Sequence, residues 1–209
     1  MNKIVLELFS GTGSIGKVAR SYGFEVLSLD LIMDADIKAD ILTWDYKQFP
    51  PNYFYYIHAS PPCVEYSRAL TTRPRKLESA NAIVLKTLEI IHYFKPKYFT
   101  MENPQTGLLK EQPFMIDIPY NDVDYCKYGM PYRKRTRIWN NIDEWHPQPL
   151  CKLDCGSIVE GTRRHQAIAQ RLPAGKKADW AEGFQKKSKE ELYIIPPTLI
   201  VEWMSLLLI

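Results

Sequence analysis

Cysteines and long apolar runs are both scarce in this sequence. Four cysteines in 209 residues are too few for the disulfide framework of a small secreted domain. No stretch approaches the roughly 20 apolar residues that a membrane-spanning helix needs. The first eight residues place Glu7 inside their apolar run and lack a small-residue cleavage site, so no signal peptide is expected. These absences argue against membrane-embedded and secreted classes and favour a cytoplasmic protein.

A large excess of charge of one sign is also absent, but the basic residues are unevenly placed. The net charge is +3, and 24% of residues are charged, as in ordinary globular proteins. Two runs contain basic residues and no acidic ones: Arg68, Arg73, Arg75 and Lys76, and then Lys127, Arg133, Lys134, Arg135 and Arg137. Such runs are usually solvated faces, but these flank candidate chemistry, which favours a polyanionic partner.

Strand and helix signals alternate through the first half of the chain. Four short apolar runs predict strands and two segments predict helices: residues 3–8, 24–29, 53–59 and 98–101, and residues 14–22 and 79–94. This alternation predicts an α/β fold with a Rossmann-like, mostly parallel sheet and helices on both faces.

The second half of the chain is less regular. Residues 123–128 and 136–139 favour two further strands, and residues 143–190 are rich in Pro, Lys, Arg and Gly. We expect a small irregular insert there, followed by an apolar C-terminal helix that opens at Pro196 and Pro197.

Residues that can bind a ligand or take part in a reaction follow the predicted strands. In open α/β sheets, ligands bind at these carboxyl ends of the strands. The first strand ends in a turn with Gly11 and Gly13, and the second ends at Asp30, where an acid can bind ribose hydroxyls. Together they predict a cofactor that carries a nucleoside. Asp40 is a candidate contact for the base, although a helix N-cap is an equal alternative.

Two later strands also end in reactive residues. Cys63 follows Pro61 and Pro62, which hold it rigidly, and a thiol there can act as a nucleophile once deprotonated. Glu102, in Glu-Asn-Pro, is a candidate general acid. The alternatives are a small buried hydrophobe for Cys63 and a structural cap for Glu102.

The order of these segments resembles the DNA (cytosine-5)-methyltransferase family. Its motifs run Phe-x-Gly-x-Gly, Pro-Cys, Glu-Asn-Val and Gln-x-Arg-x-Arg, and the resemblance covers roughly residues 4–139. It implies transfer of a methyl group from S-adenosyl-L-methionine to carbon 5 of cytosine in double-stranded DNA, on a methyltransferase fold.

The resemblance also implies roles for individual residues. Cys63 matches the nucleophile that adds to carbon 6 of a flipped base, and Glu102 matches the residue that contacts ring nitrogen 3. Arg135 and Arg137 match arginines that hold the nucleophile loop and the target nucleotide. The implied cofactor pocket comprises Phe9, Ser10, Gly11, Thr12, Gly13, Asp30, Leu31, Asp40, Ile41 and Ser60.

The sequence departs from the family pattern at several positions. Pro104 replaces the usual Val, Tyr132 or Arg133 replaces the Gln, and residues 195–198 lack the Gly-Asn of the last motif. We expect a catalytic and cofactor-binding domain at 1–140, a short target-recognition insert at 141–192, and a returning C-terminal helix at 193–209. The alternatives are methylation of RNA or of a free cytidine nucleotide, or an inactive DNA-binding relative.

The short insert contains a possible metal site. His146, Cys151, Cys155 and His165 have a spacing compatible with one structural zinc, with free surface residues as the alternative. Cys126 is a substitute candidate for the ligand set, although residues 125–127 favour a strand. The expected DNA contacts are Arg68, Arg73, Arg75, Lys76, Arg133, Arg163 and Arg164. A monomer is the default expectation, in a bacterial, phage or viral context.

Overall fold

The computed structural model describes residues 3–169, 185 and 187–208. Within them a seven-stranded sheet has the order β3-β2-β1-β4-β5-β7-β6. Its strands are β1 (Ile4–Leu8), β2 (Glu25–Asp30), β3 (Ile37–Lys38), β4 (Tyr56–Ala59), β5 (Tyr98–Pro104), β6 (Tyr120–Asp124) and β7 (Arg135–Asn140). The first five strands pair in parallel, whereas β7 is antiparallel to β5 and β6. The expected α/β class is confirmed.

Helices cover both faces of the sheet, as expected. They are α1 (Ser14–Ser21), α2 (Leu77–Phe94), α3 (Lys189–Tyr193) and α4 (Pro197–Leu207). Because side chains alternate along a strand, Val5 packs in one core with Ile15 and Leu199, and Leu6 packs in the other with Val84. We call these the α1/α4 face and the α2 face. Among the described residues, no helix is long and apolar enough to cross a bilayer.

The prediction of a strand at residues 123–128 is wrong for the second half of that segment. Strand β6 ends at Asp124, and Tyr125–Tyr128 forms a 3-10 turn that ends at Gly129, whose φ is 85°. The chain reverses here to return as β7, and glycine adopts this left-handed conformation without the steric cost of a side chain. Cys126 therefore lies on a turn, not in a strand.

The described part of the expected insert packs onto the sheet. Ile142, Trp145 and Ala167 are buried in the core of the α1/α4 face. The Trp145 indole donates a 3.1 Å hydrogen bond to Glu202 of α4. Residues 170–184 and 186 of the insert lie outside the described residues.

Candidate active site

Three parallel strands meet at the loop that carries Cys63. The backbone N–H of Ser60 donates to the carbonyl of Leu8, 3.3 Å away at the end of β1. The Asn103 amide, on β5, donates to the carbonyl of Pro61 at 2.9 Å. The Pro-Pro-Cys segment is therefore tied to strands on both sides, which fixes where Cys63 lies.

A buried histidine supports the same loop. The ring of His58 lies 2.9 Å from the Ser60 hydroxyl and 2.7 Å from that of Thr100. Burial lowers the pKa of His58 to about 3, so the ring is neutral. In the sequence, His58 lies within an apolar run and carries no signal beyond that of a buried strand.

Glu102 lies close enough to Cys63 for its charge to act on the thiol, and one of its oxygens has no partner among the described residues. Its side chain is buried, and among the described residues its Oε2 has no hydrogen-bond partner. Burial raises the pKa of the Cys63 thiol, and the charge of Glu102 raises it further. A buried carboxylate oxygen without a hydrogen-bond partner raises the free energy of the folded protein unless a ligand binds to it. Cys63 and Glu102 together are therefore suited to binding a polar ring.

Lys134 opposes these effects on the thiol. Its ammonium group lowers the pKa of Cys63, although by less than burial raises it. The side chain is held over the Tyr125 ring, 5.0 Å from its centroid, and donates to the Leu192 carbonyl at 3.2 Å. Lys134 was visible in the sequence only as a member of a basic run.

The glycine-containing turn and Asp30 form one unit. Gly11 and Gly13 have φ values of 52° and 67°, which glycine adopts readily. The N–H of Gly11 donates to Asp30 Oδ2 at 2.9 Å, and those of Ile32 and Met33 donate to Oδ1. Although burial opposes them, these N–H groups lower the pKa of Asp30. Asp30 thereby joins the ends of β1 and β2.

A cavity of about 580 Å³ opens beside this unit, lined by Glu7, residues 10–13 and residues 33–36, among others. The Ser10 hydroxyl is buried and has no partner among the described residues, so it is available to a ligand. Glu7 accepts hydrogen bonds from the N–H groups of Ile15 and Gly16. Burial raises the pKa of Glu7 to about 7, although these two N–H groups act in the opposite direction.

One family of enzymes matches the segment that builds these sites. The model of the C-5 cytosine-specific DNA methylase family matches residues 5–130, more than half of the chain. The chain belongs to this family. It is accordingly an S-adenosylmethionine-dependent enzyme of the DNA (cytosine-5)-methyltransferase class.

A viral relative supports this assignment over the whole length. A Frog virus 3 (isolate Goorha) protein named "Probable DNA (cytosine-5)-methyltransferase" is 34% identical over 222 residues. The match covers 97% of this chain and 99% of the relative.

Solved structures share the methylase fold. The Entamoeba histolytica methyltransferase EhMeth gives a TM-score of 0.64 at 14% identity, covering 99% of this chain and 98% of its own. A prophage-encoded chain from E. coli, described as a DNA modification methyltransferase, gives 0.51 at 18% identity over 66% of this chain. This methylase spans only 46% of that E. coli chain. At these identities the likeness concerns the fold alone.

The remaining residues expected in the methylase cofactor pocket have mixed surroundings. Leu31 is exposed after β2, and the Thr12 hydroxyl lies 3.1 Å from that of Ser14. Asp40 accepts the N–H of Leu42 at 2.9 Å within a turn at residues 41–43, and no helix of the described chain begins there, so the helix N-cap alternative is wrong. The side chain of Ile41 is buried in the core of the α2 face.

The methylase arginines Arg135 and Arg137 bind β6 instead of the Cys63 loop. Each guanidinium forms two hydrogen bonds to one carboxylate, Arg135 to Asp124 and Arg137 to Asp122, at 2.8–3.0 Å. Glu102 is directly opposite Ile138, and side chains alternate along β7. Both arginines therefore lie on the other face of the sheet from Glu102, which corrects their expected contacts.

Two residues of the basic run after Cys63 pair with acidic residues of the methylase. Arg68 forms an ion pair with Glu111, and Arg73 forms one with Glu65. The N–H of Lys76 also donates to Glu65, and Arg75 donates to the Ser67 carbonyl. Both arginine side chains are exposed, and exposed ion pairs are weak, so contact of Arg68 and Arg73 with phosphates stays a prediction.

The other expected nucleic-acid residues of the methylase, Arg133, Arg163 and Arg164, have exposed side chains. The expected zinc ligands need one correction. Cys126, Cys151, Cys155 and His165 form a group, whereas His146 is exposed and is not one of its members.

The opposed effects on Cys63 predict how its reactivity changes with pH. Iodoacetamide alkylates the thiolate. Since burial raises the thiol pKa, the rate of alkylation of Cys63 should rise with pH, and its midpoint should lie at a higher pH than that of an ordinary cysteine. Lys134→Met should shift this rise to still higher pH, and Lys47→Met, at an exposed position, should not. Mass spectrometry of the Cys63 peptide measures the rate. Identical profiles for wild type and Lys134→Met would show that Lys134 does not influence the thiol.

Proposed function

We propose that this enzyme attacks cytosine with the Cys63 thiolate after the base has been turned out of double-stranded DNA. The observation that carries the proposal is the buried Oε2 of Glu102, which has no partner in the described part of the chain and whose carboxyl group acts electrostatically on the Cys63 thiol. Cytosine carbon 5 is a weak nucleophile, and it needs activation by addition at the neighbouring carbon. Neither carbon 5 nor carbon 6 is accessible from its face within the stacked duplex, so the base must leave the stack.

The proposed reaction uses the two side chains in sequence. The Cys63 thiol gives its proton to solvent, and Glu102 takes one up. The sulfur then forms a bond to carbon 6 while Glu102 delivers its proton to ring nitrogen 3 and holds the exocyclic amine, so the electron pair of the carbon 5–carbon 6 double bond moves to form the carbon 4–carbon 5 double bond of an enamine. After methylation at carbon 5, Glu102 takes the proton back from nitrogen 3, a water accepts the carbon 5 proton, and the thiolate leaves carbon 6, which restores the ring and frees Cys63.

The cofactor would be held at the edge beside β1 and β2. When bound, S-adenosyl-L-methionine supplies the electrophilic methyl group. We assign Phe9 to Gly13, Asp30 and Leu31 to its binding, with Asp40, the Ile41 backbone and Ser60 completing the pocket. The buried Ser10 hydroxyl and the left-handed glycines support this assignment, because they leave polar groups and backbone open to close approach.

Three segments divide the work in this proposal. Residues 1–140 carry catalysis and cofactor binding, residues 141–192 read the target, and residues 193–209 complete the catalytic fold, where α4 packs on α1. The relative from a virus supports a viral or phage setting.

Parallel assays of labelled methyl transfer to duplex DNA, RNA and dCMP test the substrate. We expect incorporation into duplex DNA, with 5-methylcytosine as the product on digestion. Incorporation into RNA or dCMP alone would overturn the DNA assignment. No incorporation into any substrate, with cofactor binding intact, would indicate an inactive DNA-binding relative.

Because the insert is short, we expect low DNA sequence specificity and a DNA affinity that depends strongly on salt concentration. Residues 141–192 can place about three or four side chains in the major groove, so binding should rest on phosphate contacts. The logarithm of the affinity should fall linearly with the logarithm of the salt concentration, and Arg133→Gln or Arg163→Gln should each reduce that slope by about one. Lys47→Gln is the control. Bisulfite sequencing that shows a unique site of six or more defined bases would contradict this prediction.

A further inference from the structure

Four potential metal ligands converge near the end of β6. Each of Cys126, Cys151, Cys155 and His165 offers one ligand atom, and these atoms all lie within 4.8 Å of one another. The Cys151 sulfur is 3.6 Å from His165 Nε2. Around zinc bound tetrahedrally with zinc–sulfur bonds of about 2.3 Å, neighbouring sulfurs lie about 3.8 Å apart. The group thus already has nearly the dimensions of a tetrahedral site.

The ligands come from three separate parts of the chain. Cys126 lies on the 3-10 turn after β6, and Cys151 and Cys155 lie on one loop after β7. His165 pairs with Ile158 in an isolated antiparallel bridge. All three cysteines are free thiols. Neither local sequence spacing nor a disulfide accounts for their convergence.

We infer that Cys126, Cys151, Cys155 and His165 bind one structural zinc ion. Three sulfurs and one imidazole nitrogen are a donor set that zinc prefers, whereas calcium and magnesium require oxygen ligands. Four protein ligands fill a tetrahedral shell, so no coordination position is left for substrate. The inference goes beyond the methyl-transfer proposal and does not depend on it.

The surroundings of Cys151 suit a metal-bound thiolate. The N–H of Leu153 donates to its sulfur at 3.3 Å, and Leu153 has a φ of 69°. This left-handed residue turns the loop back around the sulfur and directs the N–H at it. Hydrogen bonds of this kind orient the ligands of a metal and are part of the site.

The zinc site would also position a charged pair on the sheet. The backbone N–H of Cys151 donates to Asp124 Oδ2 at 3.0 Å, and the same buried carboxylate binds Arg135. Cys126 is two residues beyond Asp124 along the chain. Zinc bound to both cysteines would therefore fix the Asp124 carboxylate from two directions. It would anchor the loop of Cys151 and Cys155 to the β6–β7 edge.

Zinc analysis of the purified full chain tests the inference. We expect about one zinc per chain in the wild type by elemental analysis, and at least tenfold less in Cys126→Ser. His146→Ala removes an exposed histidine outside the group and should keep its zinc. Loss of zinc in His146→Ala with retention in Cys126→Ser would overturn the ligand assignment.

Cobalt replacement in the wild type provides a measurement that needs no variant, in case Cys126→Ser does not fold. Chain purified in minimal medium with Co²⁺ should show sulfur-to-cobalt charge-transfer bands and the intense visible bands of a tetrahedral site. The absence of both zinc and these bands, or a disulfide between two of the cysteines under reducing conditions, would overturn the inference. Because metal content is measured without DNA, its failure is distinguishable from failure of the proposed reaction.

Discussion

Cys63→Ala is expected to abolish methyl transfer to DNA while leaving S-adenosyl-L-methionine binding intact. The substituted side chain cannot add to carbon 6, and losing a covalent nucleophile costs on the order of 10⁴-fold or more in rate. Cofactor binding should persist because the glycine-containing turn and Asp30 are held by β1 and β2, not by Cys63. Radiolabel transfer and calorimetric titration of the cofactor measure the two properties.

Cys63→Ser is a useful companion because it preserves the size of the side chain. Its hydroxyl is a much poorer nucleophile than a thiolate, so it should be almost as inactive as the alanine variant. Turnover by Cys63→Ala within tenfold of the wild type would rule out a covalent mechanism at this residue.

Glu102→Gln should keep the fold and the affinity for DNA but lose about 10²–10⁴-fold in rate. An amide cannot deliver a proton to ring nitrogen 3, although it fills the same space. Glu78→Gln, at an exposed position on α2, is the matched control and should behave as the wild type. Single-turnover kinetics separates the chemical step from DNA binding. A Glu102→Gln rate within threefold of the wild type would remove Glu102 from the mechanism.

The parallel part of the fold was predictable because its signals are local. The apolar runs of β1, β2, β4 and β5 and the one-sided helix α2 each lie within a short window of sequence. The ends of parallel strands must share one edge, so the proximity of Cys63 and Glu102 followed from the order of the strands.

The antiparallel edge was less predictable because it depends on pairing between distant segments. The register of β6 and β7 places Asp122 opposite Arg137 and Asp124 opposite Arg135. It cannot be predicted from the sequence of either strand alone. The pairing of Arg73 with Glu65 similarly depends on how the loop after Cys63 folds back. A sequence count of charges therefore does not show which basic side chains have acidic neighbours.

The Cys/His group shows the same limit. Spacing within residues 146–165 favoured His146 as the fourth member beside Cys151, Cys155 and His165, with Cys126 as the substitute. The structure groups Cys126 with the other three, and it is contributed by a turn twenty-five residues before Cys151. His146 is nearer in sequence, yet it points to solvent because the chain at Trp145 is anchored in the α1/α4 core.

Covalent trapping on DNA that contains 5-fluorocytosine tests the central claim most directly. Fluorine at carbon 5 cannot leave as a proton does, so the bond between Cys63 and carbon 6 should persist after methylation. The account predicts a denaturation-resistant complex that forms only with S-adenosyl-L-methionine, and mass spectrometry should place the nucleotide on the Cys63 peptide. Methylation of ordinary DNA with no such complex on the fluorinated DNA, or a complex through another residue, would contradict the account.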